Sequence, residues 1–157
     1  MENLYRIHRN HKVEWPTPQP FFDRLNDEFD FTLDPCATPQ SAKCDTYFTA
    51  EDDGLVQDWG THSVFCNPPY GRGIDRWMEK AYRSSQAGAL VVVLLPMRTA
   101  TNWFHNWVIN KAELRFVQGC IRFEGAAHKA PFASLVAIYH PAGSAGSASI
   151  LKTLPAA

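Results

Sequence analysis

The order of hydrophobic and polar positions predicts helices alternating with strands in the first half of the chain. Phe22, Leu25 and Phe29 recur at helical spacing after a Thr-Pro start, which predicts a helix over about residues 19–28. The stretch FDFTLDP (29–35) alternates apolar and polar residues and ends at a proline, so it is predicted to be a strand. Short strands are also predicted over residues 46–48 and over SVFC (63–66).

The second half of the chain continues the alternation and then turns to strands alone. Apolar residues recur at one helical face from Ile74 to Tyr82, which predicts an amphipathic helix. ALVVVLLP (89–96) is apolar on both faces, as in a central parallel strand covered by helices. A further helix is predicted after Thr101, whose hydroxyl can cap it. Paired strands are predicted within 113–125, and the last strand over 132–140.

This order of elements predicts an α/β fold, a three-layer sandwich whose sheet is mostly parallel with an antiparallel edge. At 157 residues the chain has the length of one domain. We divide it into a basic N-terminal arm (1–12), a single domain (13–141) and a flexible C-terminal tail rich in small residues (142–157). Ligands bind beyond the carboxyl ends of the strands in such sheets. Three stretches are therefore expected on one rim: Asp34-Pro35, Asp52-Asp53 and Asn67 to Tyr70.

Composition is that of a soluble globular protein, with 45% hydrophobic residues, 20% charged residues and a net charge of -1. The longest apolar run has the length of a strand, well short of the roughly 18 residues that span a bilayer. The N-terminus has no hydrophobic signal segment, so the expected location is the cytoplasm. The four cysteines form no CxxC pair, and we expect free thiols and no metal site.

Two clusters of basic residues stand out against the near-neutral total charge. One falls within residues 6–12, and the other comprises Arg72, Arg76, Lys80 and Arg83. Both clusters are open to two interpretations, a solvated face or a contact with nucleic acid.

The stretch VFCNPPYGRG (64–73) places an amide, two prolines and a phenol ring directly after a predicted strand. An amino group conjugated to a flat ring is a poor nucleophile because its lone pair is delocalised. Two acceptors, the Asn67 side-chain oxygen and the Pro68 carbonyl, would draw its N–H bonds out of plane and aim the lone pair at an electrophile. Pro68 and Pro69 fix the backbone, and Tyr70 offers a ring face for stacking. The alternative is a rigid turn without chemistry.

NPPY after a strand resembles the catalytic motif of S-adenosylmethionine-dependent methyltransferases that act on planar amino groups. Six stretches in order resemble the phage-type DNA adenine-N6 methyltransferase family over residues 13–140: EWPTPQPFFDRL, FDFTLDPCAT, AKCDTYFTAEDDGLVQDW, FCNPPYGRGIDRWMEKA, LLPMRTATNWFH and RFEGAAHKAPFASLVAIY. The resemblance implies a Rossmann-like methyltransferase fold, S-adenosylmethionine as the cofactor and double-stranded DNA as the partner. It also implies methylation of the exocyclic amine of adenine after the base is flipped out of the duplex.

The resemblance further implies roles for individual residues on the cofactor side. Thr17 and Pro18 are expected near the methionyl part of the cofactor, and Asp34 is expected to receive its ammonium group. Asp53 is expected to accept a hydrogen bond from the amino group of the cofactor's adenine, with Phe48 stacked on that ring. The stretch after Asp34 lacks the glycine-rich turn common in this class of enzyme. It is also too short for the helix, second strand and ribose-binding acid expected there, so the ribose contact is open between two acids, Glu51 and Asp52.

On the DNA side, Asn67, Pro68, Pro69 and Tyr70 are expected to hold the target base. Phe132 is the candidate for the second stacking face, although a core position is the default for a phenylalanine. The candidates for phosphate contacts are Arg72, Arg76 and Arg98. The interval between Asp34 and Asn67 is too short for an inserted recognition domain, so base-sequence reading is expected from loops and from the 111–131 region.

Three other interpretations remain open from the sequence. An enzyme with the same chemistry would methylate RNA or a protein glutamine. A catalytically decayed DNA-binding module would explain the missing glycine turn. Finally, the chain would be an α/β domain without this activity if the Asn-Pro-Pro-Tyr turn resembled the catalytic motif only by coincidence.

Overall fold

One seven-stranded sheet organises the chain. The computed structural model of the protein describes residues 15–144 and 151–156. Within these ranges the strands are β1 (Leu33–Asp34), β2 (Thr46–Tyr47), β3 (Ser63–Cys66), β4 (Leu90–Pro96), β5 (Glu113–Gln118), β6 (Ser134–Tyr139) and β7 (Leu151–Pro155). The helices are α1 (Gln19–Phe29), α2 (Ile74–Gln86) and α3 (Asn102–Trp107).

The strand order across the sheet is β2-β1-β3-β4-β6-β5-β7. The pairs that join β2, β1, β3 and β4 are parallel, whereas β6 runs antiparallel to both of its neighbours, β4 and β5. β7 is parallel to β5. The predicted α/β fold with a mostly parallel sheet is therefore confirmed, and its antiparallel pairings lie in the half of the sheet that ends at β7.

Helices cover both faces of this sheet. Phe65 of β3 contacts Phe22 of α1, with ring centroids 5.1 Å apart. Tyr139 of β6 contacts Tyr82 of α2 at 6.5 Å. Phe65 pairs with Val92 of β4, which pairs with Ile138 of β6, so the side chains of Phe65 and Ile138 point to the same face of the sheet. Tyr139 follows Ile138 and points to the opposite face, because adjacent residues of a strand alternate. The α1 contact and the α2 contact are therefore on opposite faces, which makes three layers.

A partly buried charge network attaches α1 to the sheet. The Arg115 guanidinium donates to both carboxylate oxygens of Glu28 at 2.6 and 2.7 Å, and its Nε donates to Glu113 at 2.9 Å. Hydrogen bonding to Glu28 raises the pKa of Arg115, and Glu113 adds to this effect. The other oxygen of Glu113 contacts His140 Nε2 at 2.9 Å. Bidentate pairing fixes the relative orientation of the two partners, so the end of α1 is held against β5.

The first strand is shorter than the sequence predicts. Asp30 adopts a left-handed conformation (φ 48°) at the end of α1, where its N–H donates to the Asn26 carbonyl. The Asn26 side-chain oxygen then accepts the N–H of Phe31. Phe29 consequently lies in the helix, and only residues 33–34 pair as β1. The alternation of residues 29–35 was generated by a helix end followed by a short strand.

Of the two strands predicted within 113–125, the first is confirmed as β5 and the second is wrong. β5 ends at Gln118, and Gly119 has a positive φ of 83°. The residues that follow form an irregular connection to β6, here called the 119–133 loop. Its buried residues Ile121, Phe123 and Ala130 face the core. β5 pairs with β6 on one side and with β7 on the other, because burial of the strands favours pairing inside the sheet over a local hairpin.

The flexible tail predicted over 142–157 is wrong for residues 151–155, because they form β7. Arg24 Nη1 donates to the Pro155 carbonyl at 2.6 Å, and Leu154 is buried. The basic arm (1–12) lies outside the described residues. Within the described residues, no helix is long and apolar enough to cross a bilayer.

Candidate active site

A cleft of about 600 Å³ opens at the carboxyl ends of β1 and β3. Small-molecule sites typically have volumes of about 300–1,000 Å³. The residues singled out in the sequence that line this cleft are Thr17, Asp34, Pro35, Glu51, Asp53, Asn67, Pro68 and Pro69. The three stretches expected on one rim are thus close together.

The orientation of the Asn67 side-chain amide is defined by two acceptors. Nδ2 donates to the Trp15 carbonyl at 2.6 Å and to Thr17 Oγ1 at 2.9 Å. A backbone carbonyl only accepts hydrogen bonds, so the NH₂ end of the amide must face it. Oδ1 consequently points the other way, and this buried oxygen has no hydrogen-bond partner among the described residues. An unpaired buried acceptor costs about 1–3 kcal/mol, so the folded state carries this cost unless a donor binds at Oδ1.

Tyr70 follows the two prolines but does not line the cleft. Its side chain is only 5% exposed, and its hydroxyl donates to the Leu94 carbonyl at 3.1 Å. Burial raises the pKa of Tyr70 well above its usual value, although the nearby Arg98 opposes this shift. The ring contacts Phe132 at 5.9 Å and Phe123 at 6.5 Å, edge to face in both cases. The two rings expected to sandwich a base are therefore in direct contact with each other in this structure.

These rings belong to a larger aromatic cluster that includes Trp15. Trp15 contacts Phe123 at 5.3 Å and Phe132 at 5.2 Å. Trp15 also lines the cleft, so the cluster of Trp15, Tyr70, Phe123 and Phe132 borders it directly. Sequence reasoning missed Trp15 and Phe123, although both lie in stretches that carry the family resemblance.

Asp34 is a buried carboxylate at the end of β1, with 4% exposure. Its oxygens accept the backbone N–H groups of Cys36 at 3.3 Å and Lys43 at 3.1 Å. Burial raises the pKa of Asp34 to about 6, against the opposing effects of these hydrogen bonds and of the Lys43 charge. The cleft therefore contains an under-solvated anion, which favours the binding of a cation.

Lys43 is the basic residue that lines the cleft beside Asp34. Its ammonium group contacts Glu124 Oε1 at 3.1 Å and Gln19 Oε1 at 3.0 Å, and its side chain is only 7% exposed. Glu124 Oε1 also accepts the Gln19 N–H at 3.1 Å, and the Glu124 N–H donates to the Pro16 carbonyl at 2.9 Å. The 119–133 loop is thereby attached to the wall of the cleft.

The acidic turn forms the facing wall. Asp53 has a positive φ of 51°, is exposed and lines the cleft, and its Oδ1 accepts the Leu55 N–H. Glu51 also lines the cleft. Asp52 instead accepts both the N–H and the hydroxyl of Thr49 at 2.8 Å, and these bonds lower its pKa. Of the two candidate ribose ligands, Glu51 is the one that reaches the cleft.

The other predicted site residues lie outside the cleft lining. Phe48 pairs through its backbone with Asp34 and Ala37, and the aromatic residues Phe65 and Trp77 line the cleft instead. Trp77 has an inward position in α2, so the sequence pattern assigned it to the core. Pro18 caps α1, and its carbonyl accepts two N–H groups from the first turn. Arg72, Arg76 and Arg98 are all exposed.

Most of the chain matches a model of one known protein family. The model of the family described as DNA N-6-adenine-methyltransferase (Dam) matches residues 6–139. The chain belongs to the DNA N-6-adenine-methyltransferase family. This confirms the resemblance inferred from the six sequence stretches.

Two relatives show how far individual proteins align with this family member. The chain is 28% identical over 106 residues to the DNA N-6-adenine-methyltransferase of Escherichia phage T1, an alignment that covers 66% of this chain and 44% of that protein. It is 39% identical over 64 residues to YfdM of Escherichia coli (strain K12), which is named as a methyltransferase, covering 36% of this chain and 70% of that protein. The chain therefore spans less than half of the phage T1 relative's length.

Replacement of Gly54 by alanine is expected to disrupt the wall of the cleft. A Cβ atom at this position would lie 2.0 Å from the Pro35 carbonyl oxygen and 3.2 Å from the Trp77 ring. Because backbone atoms form the closest contact, the turn must move. We expect Gly54→Ala to lower the free energy of unfolding by about 1–3 kcal/mol, measured by urea denaturation. An unchanged urea midpoint would contradict this packing.

The raised pKa of Asp34 predicts a pH-dependent stability difference between the wild-type protein and Asp34→Asn. The folded-state pKa of about 6 lies above the ordinary aspartate pKa of 3.8, so the ionised carboxylate destabilises the folded state. The wild-type protein should gain stability relative to the variant as the pH falls from 8 to 4, by up to roughly 3 kcal/mol. Urea denaturation across this range measures the difference. Asp27→Asn, an exposed charge removal in α1, is the control. A pH-independent difference would contradict the burial argument.

Proposed function

We propose that the chain transfers a methyl group from S-adenosylmethionine to the exocyclic amine of adenine in DNA. The observation that carries this proposal is the buried Asn67 Oδ1, which lacks a partner among the described residues. This oxygen faces away from Trp15 and Thr17, whose oxygens accept the N–H bonds of the same amide. Family membership supports adenine in DNA as the substrate.

The reaction needs the adenine amine to become nucleophilic. Asn67 Oδ1 would accept one of its N–H bonds and the Pro68 carbonyl the other, which localises the nitrogen lone pair. Pro68 and Pro69 fix the backbone beside the amide, so this arrangement needs little reorganisation during the reaction. The nitrogen forms a bond to the methyl carbon as the bond from that carbon to sulfur breaks. The positively charged product nitrogen then loses a proton to solvent, so no side-chain base is required.

The charges of the cleft fit a methionyl group. S-adenosylmethionine would supply an electrophilic methyl carbon attached to a sulfonium. Asp34 would pair with the ammonium group, which offsets the desolvation that raises the pKa of this carboxyl. Lys43, adjacent to Asp34 in the cleft, would attract the carboxylate end. Thr17 lines the cleft together with Asp34 and Lys43, so Thr17 and the adjacent Pro18 would lie near the methionyl group.

The acidic wall and the aromatic lining fit the adenosyl group. Asp53 would accept a hydrogen bond from the amino group of the cofactor's adenine, and Glu51 would bind the ribose hydroxyls, since both residues line the cleft. Trp77 replaces Phe48 as our candidate for contact with the adenine ring, because Phe48 does not line the cleft. Trp77 is held by Trp59, with the two rings 6.4 Å apart and nearly parallel.

The target base would be extruded from the duplex into the aromatic cluster. Tyr70 and Phe132 contact each other, so a base can stack between them only after Phe132 moves. Phe132 is half-buried in the 119–133 loop, between exposed neighbours, whereas Tyr70 is fixed by its bond to Leu94. The exposed Arg72 and Arg98 follow the two strand ends nearest to Tyr70 and would contact phosphates.

Incubation with methyl-labelled S-adenosylmethionine tests the proposal. The wild-type protein should label adenine in plasmid DNA, and should label neither RNA nor protein. Asn67→Ala should lower the turnover by a factor of about 100 or more, corresponding to roughly 3 kcal/mol, while calorimetric affinity for the cofactor is retained. Asn106→Ala, at an exposed position of α3, is the matched control.

The alternatives give different results in the same experiment. Label in RNA or on protein glutamine, with none in DNA, would assign the same chemistry to another substrate. DNA binding without any calorimetric signal from S-adenosylmethionine at millimolar concentration would indicate a decayed module. Near-normal turnover of Asn67→Ala would remove the amide from the mechanism.

A further inference from the structure

The segment that precedes α1 contacts the amide proposed to hold the target amine. Thr17 is 3% exposed, and its Oγ1 accepts one N–H of Asn67 at 2.9 Å. The Trp15 carbonyl accepts from the same Nδ2 at 2.6 Å. Both bonds span about 50 residues of sequence, and together they can engage both N–H bonds of the amide.

We infer that Thr17 is a positioning residue for Asn67, whose hydroxyl sets the rotation of the amide that receives the target amine. This inference rests on the proposed function. It assigns Thr17 an action through Asn67, distinct from the contact with the methionyl part of the cofactor that the family resemblance implies.

The argument begins with the two ends of an asparagine amide. The ends have nearly the same shape, but one donates and the other accepts hydrogen bonds. The terminal torsion of asparagine is broad, so a single bond to the Trp15 carbonyl leaves the amide free to twist about its axis. A second acceptor at Thr17 removes this freedom, and Oδ1 is then kept in one direction.

The position of the Thr17 hydroxyl is itself fixed by its neighbours. Pro18 restricts the backbone of the preceding residue to extended conformations. The Pro16 carbonyl accepts the Glu124 N–H at 2.9 Å, and the Pro18 carbonyl accepts the N–H groups of Phe21 and Phe22 at 3.1 Å. Thr17 is therefore held on one side by the 119–133 loop and on the other by the start of α1.

This arrangement explains why a hydroxyl occupies so buried a position. A valine would fill the same volume without an acceptor, and the Asn67 amide would lose one of its two fixed bonds. A misplacement of about 1 Å in a reacting group can cost around 100-fold in rate. Loss of the hydroxyl should therefore affect the methyl-transfer step more than cofactor affinity.

The test compares Thr17→Val with Thr17→Ser. We expect Thr17→Val to lower the single-turnover rate of DNA methylation by about 10- to 100-fold, with unchanged calorimetric affinity for S-adenosylmethionine. Thr17→Ser keeps the acceptor and should retain most of the rate. Thr32→Val is the control, because it makes the same substitution at an exposed threonine whose hydroxyl contacts His62 and Ser63 at the start of β1 and β3.

Each other result would overturn the inference. If Thr17→Val bound the cofactor more weakly but reacted at an unchanged rate, Thr17 would be a cofactor contact and not a positioning residue for Asn67. Equal rates for Thr17→Val and Thr32→Val would remove its role in the reaction. If Thr17→Val unfolds, a low rate in a folded Thr17→Ser would assign the effect to lost methyl packing. Failure of the wild-type protein to methylate DNA is separate, because it would reject the proposed function itself.

Discussion

The direction of one buried carbonyl oxygen, Asn67 Oδ1, is the constraint around which the cleft is arranged. β3 delivers Asn67 to the rim of the sheet, and Trp15 and Thr17 orient its amide. Both of these residues precede α1, and the far end of α1 is held against β5 by the bidentate pair of Glu28 and Arg115. The geometry at the rim therefore depends on the attachment of a helix whose last turn is remote in sequence from the motif.

The second constraint is electrostatic and acts against stability. Asp34 is buried with two backbone donors and a neighbouring lysine, yet burial still raises its pKa to about 6. A carboxyl placed only for structure would be better solvated or directly paired. Sites that bind charged ligands commonly retain such unfavourable groups, because the ligand supplies the missing interaction. Asn67 Oδ1, which has no partner among the described residues, is likewise an unfavourable group that a bound hydrogen-bond donor would satisfy.

The parts of the fold that the sequence predicts well are those with a local cause. α2 and β4 follow from strong periodicity, and the Asn-Pro-Pro-Tyr turn follows β3 because prolines end a strand. The errors have distant causes. β1 is short because Asn26 caps the end of α1, and β7 forms because β5 leaves an edge to pair. The Tyr70 ring was expected to offer a face for stacking, but Phe123 and Phe132, more than 50 positions later, pack on it. No periodicity encodes such contacts.

The cleft and the aromatic cluster are joined by two consecutive residues of the 119–133 loop. Phe123 packs on Trp15 and Tyr70, and Glu124 contacts Lys43 and the start of α1. A displacement of this loop large enough to separate the rings must also strain the contact of Glu124 with Lys43. The Glu124 side chain is 42% exposed, so that ion pair contributes only modestly, on the order of 1 kcal/mol or less. The loop is thus attached to the cleft by the bond from Glu124 N–H to the Pro16 carbonyl and by a partly exposed ion pair with Lys43, and the proposed entry of a base would work against these contacts.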